Sequence, residues 1–131
     1  MIYEESVRTP AAQCFVDVKH LVAKAVKASG MTDGHILVSV PHTTAALTIN
    51  ENADPAVVSD MLRRLEQTFP THDPADRHAE GNSHAHVKSS LLGTCHSFIV
   101  SGGALVLGTW QGIYLCEFDG PRTRRLVVST S

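Results

Sequence analysis

The stretch SFIVSGGALVLGTWQGIYLCEFDGPRTRRLVVS, Ser97 to Ser129, decides the fold class. Ser97 to Val100, Ala104 to Leu107, Ile113 to Phe118 and Arg124 to Ser129 are short runs rich in β-branched, aromatic and aliphatic side chains. Gly102-Gly103 and Asp119-Gly120-Pro121 stand between runs and supply the backbone freedom and preset φ of tight turns. Parallel strands need a crossover of a dozen or more residues, and these connections are far shorter. The stretch therefore predicts an antiparallel meander.

Upstream, Ala85 to Leu92 reads as a short helix ended by Gly93. It is preceded by THDPADRHAEGNSH, Thr71 to His84, which has almost no apolar side chain and no periodicity. A loop of this length inside a compact domain is uncommon unless it carries function. Asp54-Pro55 starts a helix, with the cap and the first-turn proline in favoured places, and Pro70 ends it. Val57, Val58, Met61, Leu62, Leu65 and Phe69 mark its buried stripe. His35 to Val40 and Ala45 to Asn50 are strands separated by Pro41. Asp17 caps a first helix that carries Val18, Leu21, Val22, Ala25 and Val26 on one face and lysines on the other, closed by Gly30. Ile2 to Thr9 and Ala12 to Phe15 read as the opening strands. The whole chain, residues 1–131, is one α+β domain: largely antiparallel sheets packed with two main helices and one short one.

The 131 residues suffice for a single core, and 43% hydrophobic with 18% charged residues is ordinary globular composition. A formal net charge of −2 disfavours a protein that depends on nucleic-acid backbone contacts. No apolar run is long enough to cross a membrane, and the first ten residues lack the apolar stretch of a signal peptide. Cys14, Cys95 and Cys116 form no CxxC pair and lie in apolar or strand-like settings, as buried reduced thiols do. The cytoplasm is the expected compartment, with no nucleic-acid and no membrane partner. No GxGxxG follows the first strand, and no P-loop is present.

Histidine stands out: eight residues in all, five of them between His72 and His96. Three polar constellations interrupt the apolar pattern. In the first, Pro41-His42-Thr43-Thr44 leads through a strand to Asn50-Glu51-Asn52-Ala53-Asp54. If that strand is extended, its ends are roughly 15–20 Å apart, so His42 and Glu51 meet only through a bend or a neighbouring subunit. His42 reads either as a core histidine bonded to backbone or as a site residue, and Asp54 as a cap.

The second runs from Arg77 to Lys88 and holds His78, Glu80, Asn82, His84 and His86. On a strand, His84 and His86 would share a face and could chelate; with a helix from residue 85, only His86 stays on it. Beside His78 the pattern suits an open metal site with water as fourth ligand, or a solvated loop. In the third, Trp110-Gln111 sits between Gly108 and Gly112, suggesting a stacking ring or core packing, followed by Glu117 and Arg122. Arg122 suits bidentate anion binding.

HTTAALTINENADPAVVSDM from His42, RHAEGNSHAHVKSSLLG from Arg77 and GALVLGTWQGIYLCEFDGPRTRRLVV from Gly103 together resemble the YjbQ-like proteins, collinearly over nearly the whole chain. The resemblance implies a compact α+β fold, a homotrimer with polar sites near subunit boundaries, and a bound divalent metal, zinc first and magnesium as the other candidate. Among the positions that match the family's motif, we expect metal ligands at His42, His78 and His86, catalytic groups at Glu51, Asn52, Glu80, Lys88 and Glu117, and substrate contacts at Asn82, Trp110, Gln111 and Arg122. The implied activity is a weak thiamine-phosphate synthase reaction, joining hydroxymethylpyrimidine diphosphate to thiazole phosphate with release of pyrophosphate. The broader expectation is a metal-dependent transferase on a small phosphorylated metabolite. The alternative is a non-catalytic trimeric module that binds metal or metabolite.

Overall fold

A computed structural model describes Met1–Ser131. Its elements are β1 (Ile2–Arg8), β2 (Cys14–Asp17), α1 (Lys19–Ser29), β3 (Gly34–Ser39), β4 (Ala45–Glu51), α2 (Pro55–Thr68), α3 (Ser83–Leu92), β5 (Cys95–Ser101), β6 (Ala104–Leu105), β7 (Gln111–Glu117) and β8 (Thr123–Thr130). The strands form a five-stranded sheet, β1-β8-β3-β5-β6, and a three-stranded sheet, β2-β7-β4. Every neighbouring pair is antiparallel, so the α+β expectation holds.

The continuous meander does not. β5 and β6 form the expected hairpin across Gly102-Gly103, although β6 stops at Leu105. The chain then leaves that sheet: β7 becomes the centre of the smaller one, and β8 returns to lie between β1 and β3. The residues of β7 explain the departure. It is buried on both faces from Gly112 to Glu117, with Ile113 and Leu115 in one core and Tyr114 and Cys116 in another. A strand apolar on both faces needs cover on both sides. The large sheet covers only one: on β8, Arg124, Leu126, Val128 and Thr130 are buried and Arg125 is exposed.

The main core joins Val22 and Val26 of α1, Ile36 and Val38 of β3, Leu126 and Val128 of β8, and the inner face of the small sheet. The second core lies on that sheet's outer face, where Val58, Leu62 and Leu65 of α2 pack on Tyr114, Cys116 and Phe118. The predicted α2 stripe faces this core, but no residue of α2 is fully buried, because the helix forms the outermost layer. Its start is as predicted: Asp54 Oδ1 accepts the Ala56 N–H at 2.9 Å.

Other boundaries shift. β2 begins two residues later than expected, and Val18 replaces Asp17 as the α1 cap, though Asp17 Oδ1 still accepts the Lys19 N–H at 2.9 Å. Gly30 closes α1 with φ 70°, a left-handed conformation suited to glycine. α3 starts at Ser83, so both His84 and His86 are helical. Positions two apart on a helix diverge by about 200°, and His84 is buried while His86 borders a cavity. The same-face chelate is therefore excluded. Cys14 is half-buried and Cys116 buried, but Cys95 is exposed at the start of β5, against expectation. No helix is long and apolar enough to cross a membrane.

Candidate functional site

Helix α3 is the spine of the site. Asn82 occupies its N-cap, His86 follows one turn on, and Ser89 and Ser90 precede Gly93 at its end. Against it lie the Pro41–Thr44 segment that links β3 to β4 and the Asp119–Arg122 turn that links β7 to β8. Two cavities result. One, of about 400 Å³, is bounded by His42, Thr43, His86, Ser89 and Ser90, with Gly93 and Thr94 at its end. The other, of about 290 Å³, is bounded by Thr43, Thr44, His78 and Glu80, and by Asn82, His86, Asp119 and Arg122. They share Thr43 and His86, and neither has a hydrophobic residue in its lining.

His42 is fixed by backbone. Its Nε2 accepts the Arg125 N–H at 2.8 Å, which assigns the neutral ring's proton to Nδ1. Burial, reinforced by the positive charge of Arg124, holds its pKa below the ordinary value, with Glu117 opposing. A two-dimensional ¹H–¹⁵N NMR titration should therefore give His42 a midpoint below 6.5 and a spectrum of the Nδ1–H tautomer. A midpoint above that value would contradict the arrangement.

His78 and His86 stand edge to face with ring centroids 5.7 Å apart. Two imidazoles sharing one ion through bonds of about 2 Å would have centroids roughly 5 Å apart. The observed separation is slightly wider than that. The Nε2 lone pair of His42 is already given to the Arg125 N–H and is not free for an ion. The structure thus brings the rings of His78 and His86 together, and His42 shares the wall of the adjoining cavity with His86. No three His, Cys, Asp or Glu side chains are grouped so as to hold a metal by themselves. Glu80 lies 3.9 Å from His78 Nε2. Asn82 Nδ2 donates to Asp119 Oδ2 at 2.8 Å and to Glu80 Oε2 at 3.4 Å, while its Oδ1 is buried without a partner. Arg122 donates to the Asp119 backbone carbonyl at 2.8 Å and to its carboxylate at 3.1 Å.

Two residues expected to be catalytic lie behind the cavities. Glu117 is fully buried in a pair with Arg124, and it also accepts from Thr9 Oγ1 at 2.7 Å and from the Asp119 N–H at 3.0 Å. Arg124 in turn donates to Thr44 Oγ1 at 2.9 Å, so the pair underpins the cavity wall without lining it. Lys88 is fully buried too. Its Nζ donates to Glu66 at 2.9 Å, Gln13 at 3.1 Å and His84 Nδ1 at 2.8 Å. All its donors are committed: one within α3 to His84, the others tying α3 to Glu66 of α2 and to Gln13 just before β2.

Glu51, Asn52, Trp110 and Gln111 lie elsewhere. Glu51 pairs with Gln111 at one end of the β4–β7 ladder and Ala45 with Glu117 at the other. The extended strand separates those ends by roughly 20 Å. There, Asn52 Nδ2 donates to Asp17 at 2.9 Å and its Oδ1 accepts the Tyr114 hydroxyl at 3.0 Å. Gln111 Oε1 accepts the Gly108 N–H at 2.8 Å, and Trp110 is 61% exposed. A third cavity of about 310 Å³, walled by Phe15, Tyr114 and Val58, adjoins this group.

Thr43 and Thr44 belong to the first polar constellation, but sequence reasoning missed Asp119, Ser89, Ser90 and Thr94 as wall residues. Asp119 reads as a turn former, and hydroxyl residues near a glycine read as a helix end; nothing local marks them as lining a cavity.

The arrangement defines a class: a two-sheet α+β protein with a double cavity of imidazole, hydroxyl and carboxylate groups along one helix. Residues 3–131 match the family model described as UPF0047 protein YjbQ-like. The UPF0047 protein YugU of Bacillus subtilis is 49% identical over 124 residues, covering 95% of this chain and 94% of that protein. A UPF0047 protein of Methanocaldococcus jannaschii is 43% identical, over 98% and 92%. A crystal structure of an uncharacterised YjbQ/UPF0047 family protein from Clostridium acetobutylicum superimposes with a TM-score of 0.95 at 51% identity, over 97% and 98% of the two chains. This chain belongs to the YjbQ/UPF0047 family.

Proposed function

We propose that the double cavity binds a small phosphorylated metabolite together with a divalent cation, zinc or else magnesium, and that the protein acts on it enzymatically in the cytoplasm. The observation that carries this reading is a pair of orphaned atoms. Asn82 Oδ1 and Ser89 Oγ are the buried side-chain polar atoms without a hydrogen-bond partner, and both residues line these cavities. Unpartnered buried polar groups are uncommon in native proteins and call for a ligand, water or ion.

His78 and His86 would hold the cation, with Glu80 beside them. A divalent ion there would polarise a phosphoryl or carbonyl oxygen and offset its negative charge. The protein's own groups do the rest. Arg122 is half-exposed and keeps guanidinium donors beyond those given to Asp119, which suits a phosphate oxygen. His42 offers its Nδ1–H. Lys88, Glu117 and Arg124 act as positioning residues.

The thiamine-phosphate synthase reaction requires more. Joining two heterocycles calls for more ring-stacking surface than the imidazoles of the two cavities present. Trp110 and Gln111, with Glu51 and Asn52, can supply it only from a neighbouring copy. The exposed aliphatic side chains of Leu37 on β3 and Ile99 on β5, with Val106 just past β6, support such an association. A homotrimer is the assembly we propose.

Equilibrium dialysis against zinc and magnesium, with elemental analysis, tests the cation. His86→Ala and His78→Ala should each weaken binding by at least about tenfold, the equivalent of about 1.4 kcal/mol. Undiminished binding in both would overturn this reading. Cation and phosphate-ester binding without turnover across a panel of phosphorylated metabolites would leave a binding module instead.

A further inference from the structure

We infer that the cavity around His42, Ser89 and Thr94 takes the uncharged, hydroxyl-rich part of the ligand, a polyol or sugar moiety. Aromatic rings and the phosphate itself are both unsuited to it. The inference rests on the ligand-site reading above and specifies its substrate class.

The lining disfavours a ring first. No hydrophobic residue stands in the wall, so burying an aromatic face there desolvates the hydroxyls of Thr43, Ser89, Ser90 and Thr94 without pairing them. The same wall is unsuited to an anion. No Lys or Arg lines it, and Ser89, Ser90 and Gly93 belong to the C-terminal end of α3, where the helix dipole is negative. The positive groups lie in the other cavity: Arg122, and the N-terminal end of α3 at Asn82, beside the carboxylates of Glu80 and Asp119 whose charge the proposed cation would offset. A sugar phosphate laid along α3 therefore has one orientation, its phosphate toward Arg122 and its hydroxyls toward Gly93.

Hydrogen-bonding capacity matches that occupant. Thr43, Ser89, Ser90 and Thr94 each carry a hydroxyl, which can both donate and accept, as every sugar hydroxyl does. Ser90 Oγ donates to the His86 carbonyl at 2.9 Å and is left as an acceptor. His42, locked by the Arg125 N–H, is left as a donor through Nδ1. Ser89 is 2% exposed and its hydroxyl has no protein partner. Ser89 lines this cavity. A volume of about 400 Å³ accommodates a pentose or hexose.

Isothermal titration calorimetry in the presence of zinc, with ribose 5-phosphate, phenyl phosphate and inorganic phosphate as probes, tests this. Ribose 5-phosphate should bind at least about tenfold tighter than either of the others, an advantage worth about 1.4 kcal/mol. Ser89→Ala and Thr94→Val, each checked for an unchanged melting temperature, should shrink that advantage to a factor of roughly two. Phenyl phosphate binding as tightly as ribose 5-phosphate overturns the inference, as does an advantage that persists in both variants. Equal binding of all three overturns the inference alone and leaves the phosphorylated-ligand reading standing. Binding of none overturns both.

Discussion

Replacing Glu117 by alanine should destabilise the protein by about 3–5 kcal/mol, the cost of leaving one member of a buried ion pair without the other. Glu117 is 0% exposed and Arg124 3%. The variant would strand the guanidinium with only Thr44 as partner, at 2.9 Å to Oγ1 and 3.2 Å to the carbonyl. Domains of this size have total stabilities of about 5–15 kcal/mol, so a large part of the folded advantage would be lost. Urea unfolding followed by circular dichroism gives the number. The paired replacement Glu117→Gln with Arg124→Met should recover most of the loss, because no charge then remains buried. A midpoint for Glu117→Ala within experimental error of the native protein would contradict the ion-pair account.

Acid should act on the same carboxylate. Burial alone would raise the pKa of Glu117, but hydrogen bonds from Arg124, Thr9 and the Asp119 N–H outweigh it and leave the folded value below 4.5. A folded pKa below the unfolded one means that the stabilisation is complete above about 4.5 and is lost as the pH falls through the folded value.

The second large effect is expected at Lys88. Lys88→Met keeps most of the volume but removes an ammonium that satisfies Glu66, Gln13 and His84 together. We expect a loss of about 2–4 kcal/mol, since the buried acceptor at His84 and the half-buried one at Gln13 are left unpaired. Protection against hydrogen exchange should fall first in α2, which has no fully buried residue of its own and is tied to α3 through Glu66. An unchanged melting temperature with unchanged protection in α2 would refute this. The pH dependence is again signed. Burial raises the pKa of Glu66, but hydrogen bonds from the Thr71 N–H, Gln13, Lys88 and the Thr71 hydroxyl bring it down from 4.5 to about 2. Its contribution is therefore present above pH 4.5 and is lost between there and about pH 2. In Lys88→Met that acid-labile component should shrink.

Local signals succeeded where burial of one face or a single capping atom decides the outcome. Asp54-Pro55 opened α2 as read, Gly30 and Gly93 closed α1 and α3, and Gly102-Gly103 turned β5 into β6. They failed by a residue or two where caps compete, as at Asp17 and Val18, or where a polar loop runs into a polar first turn, as at Ser83. The sheet assignment of β7 failed for a different reason. Its unbroken apolar run announces burial on both faces but carries no information about which strands flank it, β2 and β4 here.

The site was legible to the same degree. The sequence located the polar segments around His42, His78 and His86, which do line adjoining cavities. It could not separate groups that face a cavity from groups that hold the wall. Lys88 and Glu117 have the composition of catalytic residues, yet their charges are consumed by Glu66 and Arg124. It also could not show that Trp110 and Glu51 sit at the far end of the small sheet from His42, since strand pairing sets that distance.

What this chain determined by itself is which stretches coil and which extend, that they make an α+β domain, and where polarity breaks the pattern. These follow from side-chain periodicity and turn chemistry, which act over a few residues. Only the tertiary structure decided which imidazoles are neighbours, which charges are neutralised and which hydroxyls lack partners. Those are contacts between residues far apart in sequence, such as His42 with Arg125 and Thr9 with Glu117, and they exist only once the two sheets have closed on their cores.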